Sequence, residues 1–331
     1  MDPEQLKKDC NLVLDVIKDY WKDLLNKSFP VLPDFQTITP GYLQDVLPNE
    51  APEEGENIAL ILDDYKKYIL PGVLHWQHPD FHGYFPTACS TPSILGDLLA
   101  DSVGALSFSW LACPSATELE VIVLNWLAKA LGLPKKFVYH SGQNETGCRG
   151  GGIIECSASV ASLNIAIALR NRAAKQNYQT TAVTEEDLQY GRGPGAIADR
   201  SVVYLSDQVN SSVLRAVELA LLQPRVIKSK LIGHRLVMKV EDIQDAIEVD
   251  REKGFIPLFC IATLGTTNTC EFDDLEEIGP LCQKENIWLH VDAAYAGSAL
   301  LCTEFRHLFR GLEVSHMVFL HYYLYYHQAT D

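Results

Sequence analysis

The chain has 331 residues, of which 47% are hydrophobic and 21% are charged, and its formal net charge is -16 at pH 7. This acidic balance excludes a nucleic-acid partner, because there is no surplus of lysine and arginine to neutralise phosphates. A membrane span needs about 20 consecutive apolar residues, and no apolar run in the sequence approaches that length. Residues 1–10 lack the apolar core of a signal peptide. We therefore expect a cytoplasmic protein without a membrane partner.

The spacing of cysteines and histidines gives no indication of a disulfide-bonded or metal-binding protein. The nine cysteines form no Cys-x-x-Cys pair, and their number is odd. This pattern favours reduced thiols over a disulfide framework or a zinc site. The ten histidines show no spacing typical of metal ligands, so no metal is predicted.

The first predicted elements are helical. Apolar residues recur at helical spacing over residues 4–27, and a proline-rich connector follows them. Residues 57–70 suggest a second helix, which Pro71 and Gly72 would end. A detached arm that wraps a partner subunit and a helix that packs on its own domain are about equally good interpretations of this region.

An aromatic loop at residues 75–87 comes next, and four large rings within ten residues are more often packing than a ligand site. After it, Ser115 and Glu118 have the spacing of a capping box. The pattern predicts that a helix begins there and covers Leu119–Leu131, ended by Gly132.

From residue 150 onwards, apolar strands alternate with helices, and this alternation predicts a mostly parallel α/β sheet. The length of the chain suits one large domain of this kind or two domains. The predicted helices are 158–175, 211–222, 240–252 and 273–285, and the predicted strands are 202–205, a short one near 226, 255–264 and 287–291.

Three of these strands end in polar groups, and the carboxyl ends of parallel strands face the ligand crevice of such sheets. Asp292 ends one strand, Thr267 follows another, and Asn210 follows a third. The last two have an ordinary interpretation as well. The threonines suit a plain turn equally well, and Asn210 or Ser211 suits a helix cap.

The segment Gly150–Gly152 before a helix is the fourth candidate. Small residues let backbone N–H groups approach a phosphate at a helix N-terminus. A plain turn with an N-cap is the better interpretation when the segment is taken alone. The convergence of three strand ends with this segment nevertheless favours a single crevice that binds a ligand.

At these residues the chain resembles the group II pyridoxal phosphate (PLP)-dependent amino acid decarboxylases, in the aromatic-L-amino-acid decarboxylase branch. The resemblance runs from about residue 1 to about residue 312. It implies an α/β fold-type I PLP-dependent large domain, with a mostly parallel sheet between helices, an N-terminal helical arm and a homodimer. The matching stretches are His75–Pro79, Tyr84–Thr87, Pro92–Asp97, Phe108–Trp110, Thr117–Glu120, Gly150–Gly152, Ala262–Thr267 and Trp288–Gly297.

The resemblance also assigns roles to residues. Asp292 would pair with the pyridine nitrogen of the cofactor, Ala294 would contact its ring, and Thr267 would line its site. The phosphate would be held by Ser157, Ala158 and Ser159. The pocket for an aromatic amino acid (dopa, tyrosine or tryptophan) would be formed by Trp76, Tyr84, Phe85, Pro86 and Thr87.

Asn210 is the first departure from the family pattern, which has a ring-stacking histidine at this position. Asparagine is typical of the 3,4-dihydroxyphenylacetaldehyde synthases, which the chain therefore resembles most. Without the imidazole, the carbanion left by loss of CO2 would be protonated more slowly and could react with O2. The resemblance thus implies dopa as substrate, O2 as co-substrate and an aldehyde product, with plain amine formation as the alternative.

The end of the sequence is the second departure. The family continues after about residue 312 with a strand that carries the lysine for covalent cofactor attachment and then with a small domain, whereas the last lysine here is Lys284. We therefore expect an N-terminal arm or dimerisation segment at 1–75, an incomplete PLP-binding domain at 76–312 and an atypical tail at 313–331. On this interpretation the C-terminal small domain is missing, and the chain alone is inactive, a non-catalytic truncated product.

Overall fold

The computed structural model describes residues 1–84, 89–140, 149–179, 195–320 and 323–328. Contacts divide the chain into two units, residues 1–105 and residues 106–331. Within the described ranges, no helix has both the length and the apolar character needed to cross a bilayer. The predicted boundary at residue 75 stays a prediction.

The first unit contains three helices, α1 (Pro3–Leu25), α2 (Ile58–Asp64) and α3 (Thr91–Val103). The carboxylate of Asp2 accepts the backbone N–H of Glu4 and caps α1, as expected at a helix start. The predicted helices at 4–27 and 57–70 are therefore confirmed, although α2 ends early and continues as a π-helical turn over Tyr65–Ile69.

Helix α3 was not expected from the sequence, although its cap residues are a local signal. The backbone N–H of Ser93 donates to the hydroxyl of Ser90, and the Ser93 hydroxyl accepts the backbone N–H of Ser90. This reciprocal pair is a capping box made of two serines, so a search for glutamate at the fourth position misses it.

The second unit alternates strands and helices. Its helices are α4 (Pro114–Leu131), α5 (Ala158–Gln179), α6 (Gly195–Ala198), α7 (Ser211–Leu219), α8 (Val240–Glu252) and α9 (Leu275–Lys284). Its strands are β1 (Arg149–Ile154), β2 (Ser201–Ser206), β3 (Gln223–Ile227), β4 (Lys230–Ile232), β5 (Arg235–Val237), β6 (Ile256–Thr263), β7 (Trp288–Asp292), β8 (Met317–Leu320) and β9 (Tyr323–Gln328).

Seven of the strands form one sheet in the order β1-β9-β8-β7-β6-β2-β3. The run from β3 to β8 is parallel, and β9 is antiparallel to both of its neighbours. Buried residues of α4, α8 and α9 cover one face, and those of α5 and α7 cover the other. The predicted α/β fold with a mostly parallel sheet between helices is confirmed.

The glycine-rich segment is a strand, and both interpretations of it as a loop before a helix were wrong. Gly150–Gly152 lie in β1, paired with β9, and α5 begins only at Ala158. A Cβ atom on Gly150 would overlap the carbonyl oxygen of Lys136. This glycine is thus explained by close backbone contact inside the unit and not by a phosphate.

The predicted start of α4 was also wrong. The helix begins at Pro114 with Cys113 at its N-cap, and no side chain makes a capping hydrogen bond there. Proline is favoured in the first helical turn, because the N–H that it lacks would have no partner there. The helix therefore begins at Pro114, and the capping-box spacing of Ser115 and Glu118 does not mark its start.

The segment predicted as an atypical tail contributes to the main sheet. Strand β8 pairs with β7 in parallel, and β9 joins β8 to β1. Val318 and Phe319 in β8 are almost fully buried. An apolar run without proline or glycine suits an interior strand of this kind.

A buried carboxylate ties β2 and β3 to α8. Asp250, which is 1% exposed, accepts hydrogen bonds from the Tyr204 hydroxyl at 3.1 Å and from Nε of Arg225 at 3.0 Å. Burial raises the pKa of Tyr204, and the neighbouring carboxylate raises it further, so the phenol stays a donor. The Asp250 carboxylate is thus the shared acceptor that joins the other two side chains.

Replacing Asp250 with alanine should lower the free energy of unfolding by about 3 kcal/mol, since the Arg225 charge and the Tyr204 hydroxyl would lose their buried acceptor. Tyr204→Phe removes one neutral donor and should cost only about 1 kcal/mol. Urea unfolding followed by circular dichroism measures both values. An equal loss in the two variants would contradict the network.

Candidate functional site

The loops after β2 and β6 meet at the carboxyl edge of the sheet. The Asn210 amide nitrogen donates to Oγ1 of Thr267 at 2.9 Å. Because β2 and β6 are adjacent parallel strands, their following loops emerge side by side, as the sequence predicted. Thr267 is exposed, and Asn210 is half-buried. The pair therefore presents one polar surface at this edge.

Asp292 ends β7, the next strand along, where it lies in register with Thr263 of β6. Its side chain is 7% exposed and accepts the backbone N–H of Ala294 at 3.0 Å. No side chain of the described residues donates to it. Burial raises the pKa of this carboxyl, and the single hydrogen bond opposes that rise only in part.

This carboxylate fits the cofactor that the sequence resemblance implies. A buried anion with one backbone donor gains most from a cation placed against it. A protonated pyridine nitrogen is such a cation, and a planar ring can reach a carboxylate at a sheet edge. Ala294, partly buried beside Asp292, is small enough to leave a ring face uncovered.

The residues predicted to bind the cofactor phosphate lie at the N-terminus of α5. The Ser157 hydroxyl accepts the backbone N–H of Val160 at 3.2 Å, and the helix begins at Ala158. Ser159 is exposed in the first turn. The remaining N–H groups of this turn and the helix dipole suit an anion. The three predicted phosphate residues are thus brought together at one helix end.

A second hydrogen-bonded cluster orients the loop that carries Asn210. Oδ1 of Asp207 accepts the Ser229 hydroxyl at 2.6 Å and the Ser229 backbone N–H at 3.1 Å. Partial burial raises the pKa of Asp207, but these bonds outweigh it and hold the pKa below its ordinary value. Ser229 lies beyond β3, and no pattern in the sequence joined it to this loop.

Asn210 also caps α7, because its Oδ1 accepts the backbone N–H of Ser212 at 2.9 Å. The helix-cap interpretation of this residue is therefore confirmed, whereas its role as a site residue stays a prediction: the oxygen caps the helix, and the nitrogen donates to Thr267. Using both ends of the amide fixes its orientation.

Gly265 sets the path of the chain towards Thr267. Its φ is +91°, a left-handed conformation that side chains rarely adopt. An added Cβ would lie 2.5 Å from the Cβ of Ala296, so the turn after β6 and the segment after β7 touch here. Only glycine allows this contact, which keeps the loops after β6 and β7 together.

A buried carboxyl beside this turn should make the stability of the chain depend on pH. Burial raises the pKa of Asp273 to about 6, although the backbone N–H of Thr263 donates to it at 2.8 Å. The protonated form is thus favoured in the folded state, and its stabilisation is present below the unfolded pKa and lost as pH rises through about 6.

We expect the free energy of unfolding to fall by about 2 kcal/mol between pH 4 and pH 7 on account of Asp273, since one pKa unit corresponds to about 1.4 kcal/mol and part of the change lies outside this range. This part of the fall should be absent in Asp273→Asn, which has no titrating group there. Urea midpoints across this pH range measure it. An unchanged pH slope in the variant would contradict the assignment.

The predicted aromatic pocket residues lie in the first unit. Trp76 stacks on Tyr84 with ring centroids 5.2 Å apart and on Phe81 at 5.6 Å. Tyr84 is 77% exposed and has a positive φ of 55°. The remaining predicted members, Phe85, Pro86 and Thr87, lie outside the described residues.

The chain matches a known protein family over most of its length. Residues 40–320 match the pyridoxal-dependent decarboxylase conserved domain. A histidine decarboxylase of Drosophila melanogaster is 41% identical over 95% of the chain, and an aromatic-L-amino-acid decarboxylase of Bos taurus is 40% identical over 95%. The chain spans 35% of the length of the first relative and 60% of the second.

Solved structures are similar over nearly the whole chain. Oryza sativa TDC with PLP and tryptamine superposes with a TM-score of 0.85 and 31% identity, covering 98% of this chain and 67% of that chain. Rhodiola rosea 4-hydroxyphenylacetaldehyde synthase gives a TM-score of 0.83 and 31% identity over the same shares of the two chains.

Proposed function

The chain belongs to the pyridoxal-dependent decarboxylase family, whose cofactor is pyridoxal phosphate, and from that premise we propose that its sheet edge serves decarboxylation of an aromatic L-amino acid, with dopa preferred. When bound, the cofactor supplies the electron sink for the carbanion that loss of CO2 leaves. The observation that carries the proposal is the buried Asp292, with Asn210 and Thr267 joined at the same edge of the sheet.

The residues of this edge would each hold one part of the cofactor. Asp292 pairs with the protonated pyridine nitrogen and keeps its proton in place. The first turn of α5, with Ser157, Ala158 and Ser159, binds the phosphate. Ala294 lies against the ring, and Thr267 lines the site.

The substrate ring would be bound by the aromatic residues Trp76 and Tyr84, together with Phe85 and Pro86, and its carboxylate by Thr87. Stacked rings offer the flat apolar surface that an aromatic amino acid requires. Histidine decarboxylases are as similar to this chain as aromatic-L-amino-acid decarboxylases are, so a substrate test must include histidine beside dopa, tyrosine and tryptophan.

For the product we propose an aldehyde, with O2 as co-substrate. Asn210 has no ionisable group near pH 7, so it neither stacks as an imidazole does nor delivers a proton to the carbanion. The similarity to an aldehyde synthase from Rhodiola rosea supports this direction. The alternative is amine formation, which the similarity to the aromatic-L-amino-acid decarboxylases supports.

A homodimer is the proposed assembly. Helix α3 exposes Leu98, Leu99 and Val103, the last of them 75% exposed. Exposed apolar residues in a row along one helix are typical of a surface that a second chain covers. Sedimentation equilibrium, with Leu99→Lys as the disrupting variant, tests this assembly. We also propose a cytoplasmic location, in keeping with the eight free cysteines among the described residues.

A polypeptide of these 331 residues has no lysine beyond Lys284, so we propose that it binds the cofactor without covalent attachment and releases no CO2 by itself. The test is a titration with pyridoxal phosphate, followed by addition of each candidate amino acid and assay of CO2 and peroxide. Binding without turnover is expected. A borohydride-reducible bond between the cofactor and a specific lysine would contradict the proposal.

A further inference from the structure

The face of β7 that lies beneath α5 carries buried polar groups that the proposed site does not explain. Side chains alternate along a strand, so Trp288, His290 and Asp292 share one face, on which Trp288 packs against the cluster beneath α5. His290 is 2% exposed, and neither of its ring nitrogens has a hydrogen-bond partner among the described residues. The neighbouring strands place Ile261 and Met317 beside it.

A third buried polar group lies next to Asp292 itself. Thr263 of β6 is in register with Asp292, and its hydroxyl also lacks a partner among the described residues. Register and alternation put this hydroxyl on the same face as Asp292 and His290. Buried polar groups are almost always satisfied by protein or by ordered water, so three such atoms around one carboxylate require an explanation.

One water molecule would partner the Thr263 hydroxyl and one of the two His290 ring nitrogens, and it would also reach the Asp292 carboxylate. Residues two apart on a strand are separated by about 6.6 Å and adjacent strands by about 4.8 Å. A bridging water spans about 5.5 Å between its two partners. A buried water typically has about three polar partners, and here these are the His290 ring, the Thr263 hydroxyl and the Asp292 carboxylate.

We propose that His290 is a positioning residue, which acts with Thr263 through one buried water to hold the Asp292 carboxylate ionised for the pyridine nitrogen of the cofactor. The water accepts from the Thr263 hydroxyl and donates to the carboxylate and to the unprotonated nitrogen of the imidazole. Hydrogen bonds donated to a carboxylate favour its charged form, and this opposes the effect of burial.

The state of the imidazole agrees with this arrangement. Burial among apolar neighbours lowers the pKa of His290 to about 3, so the ring is neutral and keeps one nitrogen as an acceptor. A charged imidazole would pair with Asp292 and compete with the cofactor. The inference rests on the proposed function, because it concerns the same carboxylate.

The test uses the full chain with cofactor labelled with 15N in the pyridine ring. The 15N shift reports whether that nitrogen is protonated, and absorbance titration gives the dissociation constant. His290→Leu should weaken binding about 10-fold and move the shift towards the unprotonated value. His290→Gln, which keeps a polar group of similar reach, should restore both. Thr263→Val should move both in the direction of His290→Leu.

Trp288→Phe is the matched control, since it removes another N–H that has no partner among the described residues from the same face, at a greater distance from Asp292. It should leave the 15N shift unchanged. If His290→Leu keeps wild-type affinity and shift, or if His290→Gln is no better than leucine, the inference is wrong while the cofactor site stands. A wild-type chain that binds no cofactor overturns the proposed function and this inference with it.

Discussion

Replacing Asp292 with asparagine should weaken the binding of pyridoxal phosphate by at least about 100-fold. The carboxylate is buried at the end of β7, with one backbone hydrogen bond and no side-chain donor among the described residues. Breaking a buried ion pair by removing one partner costs about 3–5 kcal/mol, and about 1.4 kcal/mol corresponds to a tenfold change in affinity. Absorbance titration of the full chain at neutral pH measures the change.

The same variant should not destabilise the chain that lacks cofactor. Burial raises the pKa of Asp292, so in the wild type the stabilisation by its protonated form is lost as pH rises through that raised value. Asparagine keeps the shape and carries no charge, so its stability should equal or exceed that of the wild type at neutral pH. Weaker binding together with unchanged or higher stability separates a site residue from a folding residue.

Asp274→Asn is the control for this experiment. Asp274 caps α9, where its carboxylate accepts the backbone N–H of Glu276 at 2.9 Å, and asparagine caps a helix equally well. It should change neither affinity nor stability. If Asp292→Asn binds the cofactor as tightly as this control does, the carboxylate is not the partner of the pyridine nitrogen.

What the sequence predicted well were features with a local cause. The spacing of apolar residues predicted the alternation of strands and helices after residue 200. Asp292 could be placed at a strand end because an apolar run stops there. The position of Asn210 beside Thr267 followed from the rule that parallel strands end at one edge. Each of these conclusions depends on only a short window of residues.

What the sequence could not predict depends on contacts between distant segments. Ser229 fixes the loop of Asp207 from beyond β3, and nothing in its own neighbourhood indicates this. The glycines of β1 were misread because a close contact with Lys136 and a close approach to a ligand both require a missing side chain. The sequence indicates only that His290 belongs to an apolar strand; that its ring nitrogens have no partner among the described residues is visible only in the structure.

Changing Asn210 to histidine should shift the product from the proposed aldehyde towards the amine. Histidine brings an aromatic face and a group that exchanges protons near neutral pH, and positioned proton transfer commonly accelerates a step by about 100-fold or more. Faster protonation leaves the carbanion less time to react with O2. We therefore expect the yield of peroxide per CO2 to fall by at least about 10-fold.

The measurement needs turnover, so under the proposal that the 331-residue chain releases no CO2 by itself, we would join residues 1–312 to the corresponding C-terminal segment of an active aromatic-L-amino-acid decarboxylase. Asn210→Ser is the matched control. Serine caps α7 as well as asparagine does but has no ring, so its peroxide yield should stay high. An equal fall in both variants would point to loss of the hydrogen bond to Thr267 instead.

Cofactor binding by the 331-residue chain gives a second, independent test of the same substitution. An imidazole stacked on the cofactor ring contributes about 0.5–1.5 kcal/mol, so Asn210→His should tighten cofactor binding several-fold without any turnover. The same substitution removes the cap on α7, which should lower the free energy of unfolding by about 1 kcal/mol. A thermal melt measures this effect separately from binding. Tighter binding with a lower melting temperature is the signature of a ring placed against the cofactor. Weaker binding would mean that the amide of Asn210, held between Ser212 and Thr267, is itself a ligand of the site.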